Sequence, residues 1–158
     1  EPEAPQETAA LIAYIQSRYH EGHRRQLPEL IALSGKVESV HVNHPNVPAG
    51  LARALQRFLS ELDELMQQQE QIHFPAMQQK TPDQLALAIR SMRHDHNEHG
   101  FFVDRLDRLT DSCTPPEDAC EAWRELYVGV AQFKTDLLEH IHLENNILFP
   151  RFEITATA

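Results

Sequence analysis

Residues 139–150 read EHIHLENNILFP, and residues 64–75 read ELMQQQEQIHFP. Each is an apolar helical run that closes on Phe-Pro, and the two lie 75 residues apart in a chain of 158. In the later stretch His140 and Glu144 are four apart, a spacing that puts both on one helical face. In the earlier stretch the matching positions hold Leu65 and Gln69. The chain therefore reads as a weak tandem of two helical hairpins, only one of which carries ligand-type groups at this position.

Helix punctuation supports that reading outside the two stretches. The chain has five glycines and no sustained β-branched alternation, which argues against strands. Thr8 is placed to cap a first helix whose apolar positions Leu11, Ile12, Ile15 and Tyr19 recur at three and four. The pattern continues through Leu27, Leu30, Ile31 and Val37 to an end near Val40–Asn43, with Pro28 predicted to kink it. HVNHPNVPAG (41–50) is a loop, and Pro48 is placed to start the second helix. That helix carries Leu51, Leu55, Phe58, Leu59, Leu62, Leu65 and Met66 along one stripe and bends at Pro75. Thr81-Pro82 opens the third helix and Thr114-Pro115-Pro116-Glu117 the fourth, which Pro150 closes. The expected fold is all-α: an up-down-up-down antiparallel four-helix bundle over residues 8–152. Residues 1–7 read as a flexible lead-in and 153–158 as a disordered tail.

Composition narrows the function classes. A net charge of −10 with no basic patch argues against nucleic acid or an anionic membrane as partner. No apolar run approaches membrane-spanning length, and the acidic EPEAPQE start is unlike a signal peptide. A cytoplasmic protein is the expectation, in which Cys113 and Cys120 are free thiols rather than a disulfide. The unusual feature is ten histidines, several of them clustered: His20 and His23; His94, His96 and His99; His140 and His142.

His20 and His96 are separated by nearly the repeat distance. Early positions on helices one and three, and late positions on helices two and four, fall at the same end of an antiparallel bundle. His20, His96, His140 and Glu144 are thus predicted to converge. Three imidazoles and one carboxylate suit iron, zinc or manganese, not calcium or copper(I). The bland alternative for a lone His-x-x-x-Glu on a helix is a surface ion pair. His23 reads as solvent-facing, His142 as exposed and His44 as a loop residue without a role. His94 and His99 flank His96, and only His99 shares part of its face. His41 follows His20 by 21 residues, roughly 31 Å along a continuous helix, too far to share a metal.

The segments RYHEGHRRQLPEL (18–30), KVESVH (36–41), CTPPEDAC (113–120) and HIHLENNILFPR (140–151) together resemble the repair-of-iron-centres family. These hemerythrin-like proteins are associated with restoring iron–sulfur clusters after nitrosative or oxidative damage. The likeness runs from about residue 10 to residue 152. It implies a four-helix bundle holding two non-haem irons bridged by carboxylates, with His20, His96 and His140 as ligands and Glu144 as a bridge. The family also has a histidine at the place of His41, sometimes counted among its ligands. Damaged iron–sulfur proteins or scaffold proteins are the implied partners, and NO and O2 the implied small ligands.

The departures from the family matter as much. Its second helix carries His and Glu four apart where this chain has Leu65 and Gln69, so a complete two-iron site of the family type is not encoded. Glu70 and His73 form a nearby Glu-x-x-His pair, a spacing that di-iron carboxylate bundles use; the alternative is a solvated helix end. The family's N-terminal module with paired cysteines does not precede this chain, which reads as a fragment or as a member without it. Two further readings stay open: an oxygen- or NO-binding carrier or sensor, and a bundle whose metal site is mononuclear or lost.

Overall fold

A computed structural model describes residues 3–79 and 82–153. Among these residues there are four helices and no strand, arranged as an antiparallel up-down-up-down bundle. The first helix spans 8–40, the second 51–78, the third Pro82–Thr110 and the fourth 121–151, where a final short turn closes it.

The helix starts differ from the sequence expectation. Glu7, not Thr8, caps the first helix: its carboxylate accepts from the backbone N–H groups of Ala9 at 3.1 Å and Ala10 at 2.9 Å. A carboxylate satisfies two of the orphan donors at once and suits the positive end of the helix dipole. Thr8 instead accepts from Arg151 at 2.9 Å, tying the first helix to the end of the fourth. The second helix begins at Leu51, after Gly50, whose φ of 91° lies in the left-handed region glycine favours. Its cap comes from another helix, because Glu38 accepts from the N–H groups of Gly50 at 2.7 Å and Ala52 at 3.0 Å. The fourth helix begins at Glu121 rather than at the Pro-Pro segment, and Cys120 is its cap, its sulfur accepting from Trp123 N–H at 3.4 Å. Both cysteines are free. Thr81, expected to cap the third helix, lies outside the described residues.

The helices depart from α geometry in three places. Ile15–His20, Gln69–His73 and Glu144–Leu148 are single π-helical turns, marked by bonds from Glu21 N–H to Gln16 O, Phe74 N–H to Gln69 O and Phe149 N–H to Glu144 O. Two of the three have a visible cause. Pro75 and Pro150 have no N–H for the carbonyls of Gln71 and Asn146, and their rings crowd those same carbonyls. Each proline therefore favours a looser turn just before it, and the Phe-Pro repeat is the signature of that turn. The first π turn has no such proline; Pro28 lies further along, inside Glu21–Val40, which stays α-helical through it.

The core is split. One apolar cluster, around Leu27, Leu55, Leu62, Trp123 and Phe133, fills the end of the bundle near the loop 41–50. A second, around Leu11, Ile15, Phe74, Leu148 and Phe149, fills the other end. Between them lies a buried polar layer of His20, His23, Gln69, His96, His99, His140 and Glu144. Burying so many polar groups is costly unless they are paired with one another or with a ligand.

Candidate metal centre

Glu144 is the hub of the polar layer. It opens the π turn of the fourth helix, one residue past the α-helical segment, and is 0% exposed. His140 Nε2 lies 2.9 Å from Glu144 Oε2, and His96 Nε2 lies 2.9 Å from Glu144 Oε1. Gln69, which opens the π turn of the second helix, donates its amide N–H to the same Oε1 at 2.9 Å. Burial alone would raise the Glu144 carboxyl; the charge and hydrogen bonds of His140 and His96 outweigh it and hold the group well below the ordinary carboxylate range. Burial likewise opposes charge on His96, but its bonds to Glu144 and Asn145 leave its pKa raised.

His20 closes the first π turn and faces Glu144 from the opposite helix. Its Nδ1–H donates to Glu70 Oε2 at 2.6 Å, which turns Nε2 inward. That Nε2 is fully buried and has no hydrogen-bond partner. One ligand atom from each of His20, His140 and Glu144 lies within 4.8 Å of the other two. An orphaned buried imidazole nitrogen beside an ionised carboxylate and a second imidazole is the donor set a transition-metal cation completes. The residues present fit a metal ion.

The four residues that the sequence predicts to converge do so. His20, His140 and Glu144 form the tight cluster, and His96 joins through Glu144. The other three candidates stand elsewhere. Glu70 reaches the cluster only through His20, and Arg24 donates to it at 2.8 Å and 3.2 Å. Placed there, it orients an imidazole, as carboxylates behind metal-bound histidines do. His73 lines a cavity beside the cluster and is partly exposed. His41 lies at the far end of the first helix, its Nε2 3.2 Å from Cys120 Sγ and its ring 5.0 Å from that of Trp123.

The cavity, of about 30 Å3, is bounded by Leu65, Gln69, Met92, His96, His99 and Glu144 among others. Leu65 gives it an apolar wall. Gln69 points at Glu144 as a donor and also contacts Met92 Sδ at 3.4 Å.

Several residues of the site are not apparent from the sequence. His23, expected to face solvent, is 1% exposed, and its Nε2 lies 3.2 Å from His140 Nδ1. Burial pushes its pKa down to about 3, so it is neutral. His99 is buried and neutral for the same reason, also at about 3. The spacing signals existed: each is three residues after a predicted ligand, on nearly the same face. Asn145, whose Oδ1 accepts from His96 Nδ1–H at 2.7 Å, had no signal beyond adjacency to Glu144. His142 is exposed, as expected, and His44 contacts Asp118 at 3.0 Å.

Comparison with known proteins places the chain among relatives. The model of the hemerythrin family, described as the hemerythrin HHE cation binding domain, matches residues 11–152. The chain is also similar to proteins named iron-sulfur cluster repair protein YtfE from Yersinia pseudotuberculosis serotypes O:1b and O:3 and from Yersinia pestis strain Pestoides F. Each is 50% identical over 141 residues, covering 89% of this chain and 64% of the relative. The chain thus spans about 64% of the length of these curated relatives.

Proposed function

Because the chain belongs to the hemerythrin family of HHE cation-binding domains, which hold non-haem iron, we propose that it is the iron-binding module of a protein that restores damaged iron–sulfur clusters. The observation that carries the metal reading is the buried, partnerless Nε2 of His20 facing Glu144 and His140. The repair reading is supported by the 50% identity to the named repair proteins. Nitrosative or oxidative stress is the setting, damaged iron–sulfur proteins or their scaffolds are the partners, and NO and O2 are the small ligands.

In this reading His20, His140 and Glu144 would hold the iron, with His96 beside them on Glu144 Oε1. Iron so held would supply the chemistry that binds small ligands. Glu70 and Asn145 keep the imidazoles of His20 and His96 turned inward. Leu65 denies a second ion its histidine, and the Gln69 amide occupies the carboxylate oxygen that a second ion would need. The module therefore binds about one iron tightly, where the family pattern of ligands would give about two. His73 is the remaining ligand-type group on that side of the cavity.

Two measurements test the proposal. Metal analysis after anaerobic reconstitution should give near one iron per chain; two tightly held irons with an oxo-bridge absorption band would refute the mononuclear site. Reactivation of a nitric-oxide-damaged cluster enzyme by the iron-loaded chain, lost in His140→Ala, would support repair. Tight iron binding with no reactivation, by the chain or by the full-length protein, would favour a carrier or sensor instead.

A further inference from the structure

The outer nitrogens of His20 and His96 are held by a carboxylate and an amide oxygen, but that of His140 is held by another histidine. What fixes His140 is therefore whatever fixes His23. Asp136 is buried on the fourth helix, one turn before His140. Its Oδ1 accepts from Arg18 at 3.3 Å and from the Gln132 amide at 2.9 Å, and its Oδ2 accepts from the Gln26 amide at 2.8 Å. A carboxylate paired with an arginine has no proton to give. Gln26 must present its NH2 to Asp136, and its Oε1 then turns toward His23 Nδ1, 3.5 Å away. An amide oxygen facing that nitrogen favours the proton on His23 Nδ1 and leaves His23 Nε2 bare. The bare nitrogen sits 3.2 Å from His140 Nδ1, so His140 is the donor of that pair. Its Nε2 is then the atom with a lone pair directed at Glu144 Oε2, 2.9 Å away. Two acceptors that close require positive charge between them: a bound cation, or a proton on Nε2 while the site is empty.

We propose that Asp136, Gln26 and His23 form a hydrogen-bond relay that fixes the tautomer of His140 and presents its Nε2 lone pair to the cation. The three are positioning residues; none touches the metal. The chain joins the first and fourth helices, and Tyr19 stacks on the His140 ring at 5.4 Å, leaving the imidazole little freedom to turn. Outer hydrogen bonds of this kind set ligand orientation and basicity. The inference rests on the metal reading of the site, but the Nδ1 proton, which the relay requires whether Nε2 meets a cation or carries a proton, can be observed without metal.

The experiment is nitrogen-15 NMR of the histidine rings in the metal-free chain, paired with anaerobic Fe(II) titration. His140 is expected to keep a proton on Nδ1, with a correlation across the hydrogen bond to His23 Nε2. Gln26→Leu, at a half-buried position, should leave His140 Nδ1 without its proton in a sizeable fraction of molecules and weaken Fe(II) binding about tenfold. Asp136→Asn, which lets Gln26 turn over, should act in the same direction. His23→Gln, which retains an acceptor for His140 Nδ1–H, should restore most of what His23→Leu loses; a packing role alone would not be rescued this way. Should His23→Leu fail to fold, Gln26→Leu carries the test. A bare His140 Nδ1 in the unaltered chain would overturn the relay. So would an unchanged tautomer and unchanged Fe(II) affinity in folded Gln26→Leu. Loss of the iron reading would show up separately, as absence of binding by the unaltered chain with its Nδ1 still protonated.

Discussion

The two Phe-Pro helix ends are the same device put to different uses. In both, proline removes a donor and the helix relaxes into a π turn; in both, that turn places its first residue, Gln69 or Glu144, in the buried layer. The backbone repeat is thus intact down to the paired bonds from Phe74 N–H to Gln69 O and from Phe149 N–H to Glu144 O. The chemistry is not. One half offers a carboxylate with an imidazole one turn behind it, the other an amide with a leucine. The amide does not copy the lost ligand but complements the surviving one, donating a hydrogen bond to Glu144 at 2.9 Å. On the reading proposed above, the scaffold keeps the shape of a two-ion site while its side chains commit to one.

The sharpest way to break the comparison is to remove the surviving half. Glu144→Leu should abolish tight iron binding, lowering affinity by more than about a hundredfold, since it deletes the only charge that the three histidines converge on. Anaerobic titration read by optical spectroscopy checks it. The apo variant should still fold, because the leucine fills a fully buried position and His96 loses the carboxylate that raises its pKa. Iron retained at near wild-type affinity would mean that Glu144 is only an internal ion pair.

Restoring the other half is the next largest effect. Leu65→His with Gln69→Glu should raise the iron content from about one to about two per chain. Gln69→Glu alone should instead destabilise the metal-free protein, because it sets a second carboxylate against Glu144 with the Gln69 hydrogen bond gone. Thermal melts with and without Fe(II) separate the two: the double variant should gain stability on iron addition and lose it when chelated. If the double variant holds no more iron than the unaltered chain, the repeat does not locate the second position.

How much of this could be read in the sequence follows the same division. The bundle was legible because helix periodicity is a local pattern, and the repeat with the antiparallel topology brought His20, His96, His140 and Glu144 to one depth. Helix starts were less legible. Glu7 and Cys120 cap through groups that any nearby Thr or Pro competes with, and Glu38 caps a helix other than its own. The burial of His23 was hidden for a physical reason. A lone histidine on a mixed face is read as solvated unless its partners are known, and the acceptor chain that satisfies it runs through Gln26 to Asp136, 110 residues further on. The contact of Glu70 with His20 was hidden in a similar way: near the π turn the assignment of faces shifts, and a residue one step from the ligand position meets His20 Nδ1.

Glu70 supplies a smaller effect. Glu70→Gln keeps the shape and a possible acceptor but removes the charge behind His20. Iron affinity should fall about tenfold, the low end for an outer partner of a ligand histidine. Arg24, which also binds Asp63 at 2.8 Å, should keep the segment folded. A drop equal to that of Glu144→Leu would place Glu70 on the metal itself, and the comparison of halves would then have to count it as a replacement ligand.

The smallest effect belongs to the family histidine that the fold sets apart. His41 ends the helical segment that begins beyond His20, and its neighbours are Cys120, His44 and Trp123 rather than the buried layer. His41→Ala should leave iron content and affinity unchanged within about twofold while lowering stability by roughly 1 kcal/mol, as expected for a lost aromatic and hydrogen-bond contact at a partly exposed loop. The two readouts must diverge for the assignment to hold. If iron binding falls with His41→Ala in a chain that melts normally, the metal layer reaches further along the first helix than its geometry allows, and the single-ion reading of the site fails with it.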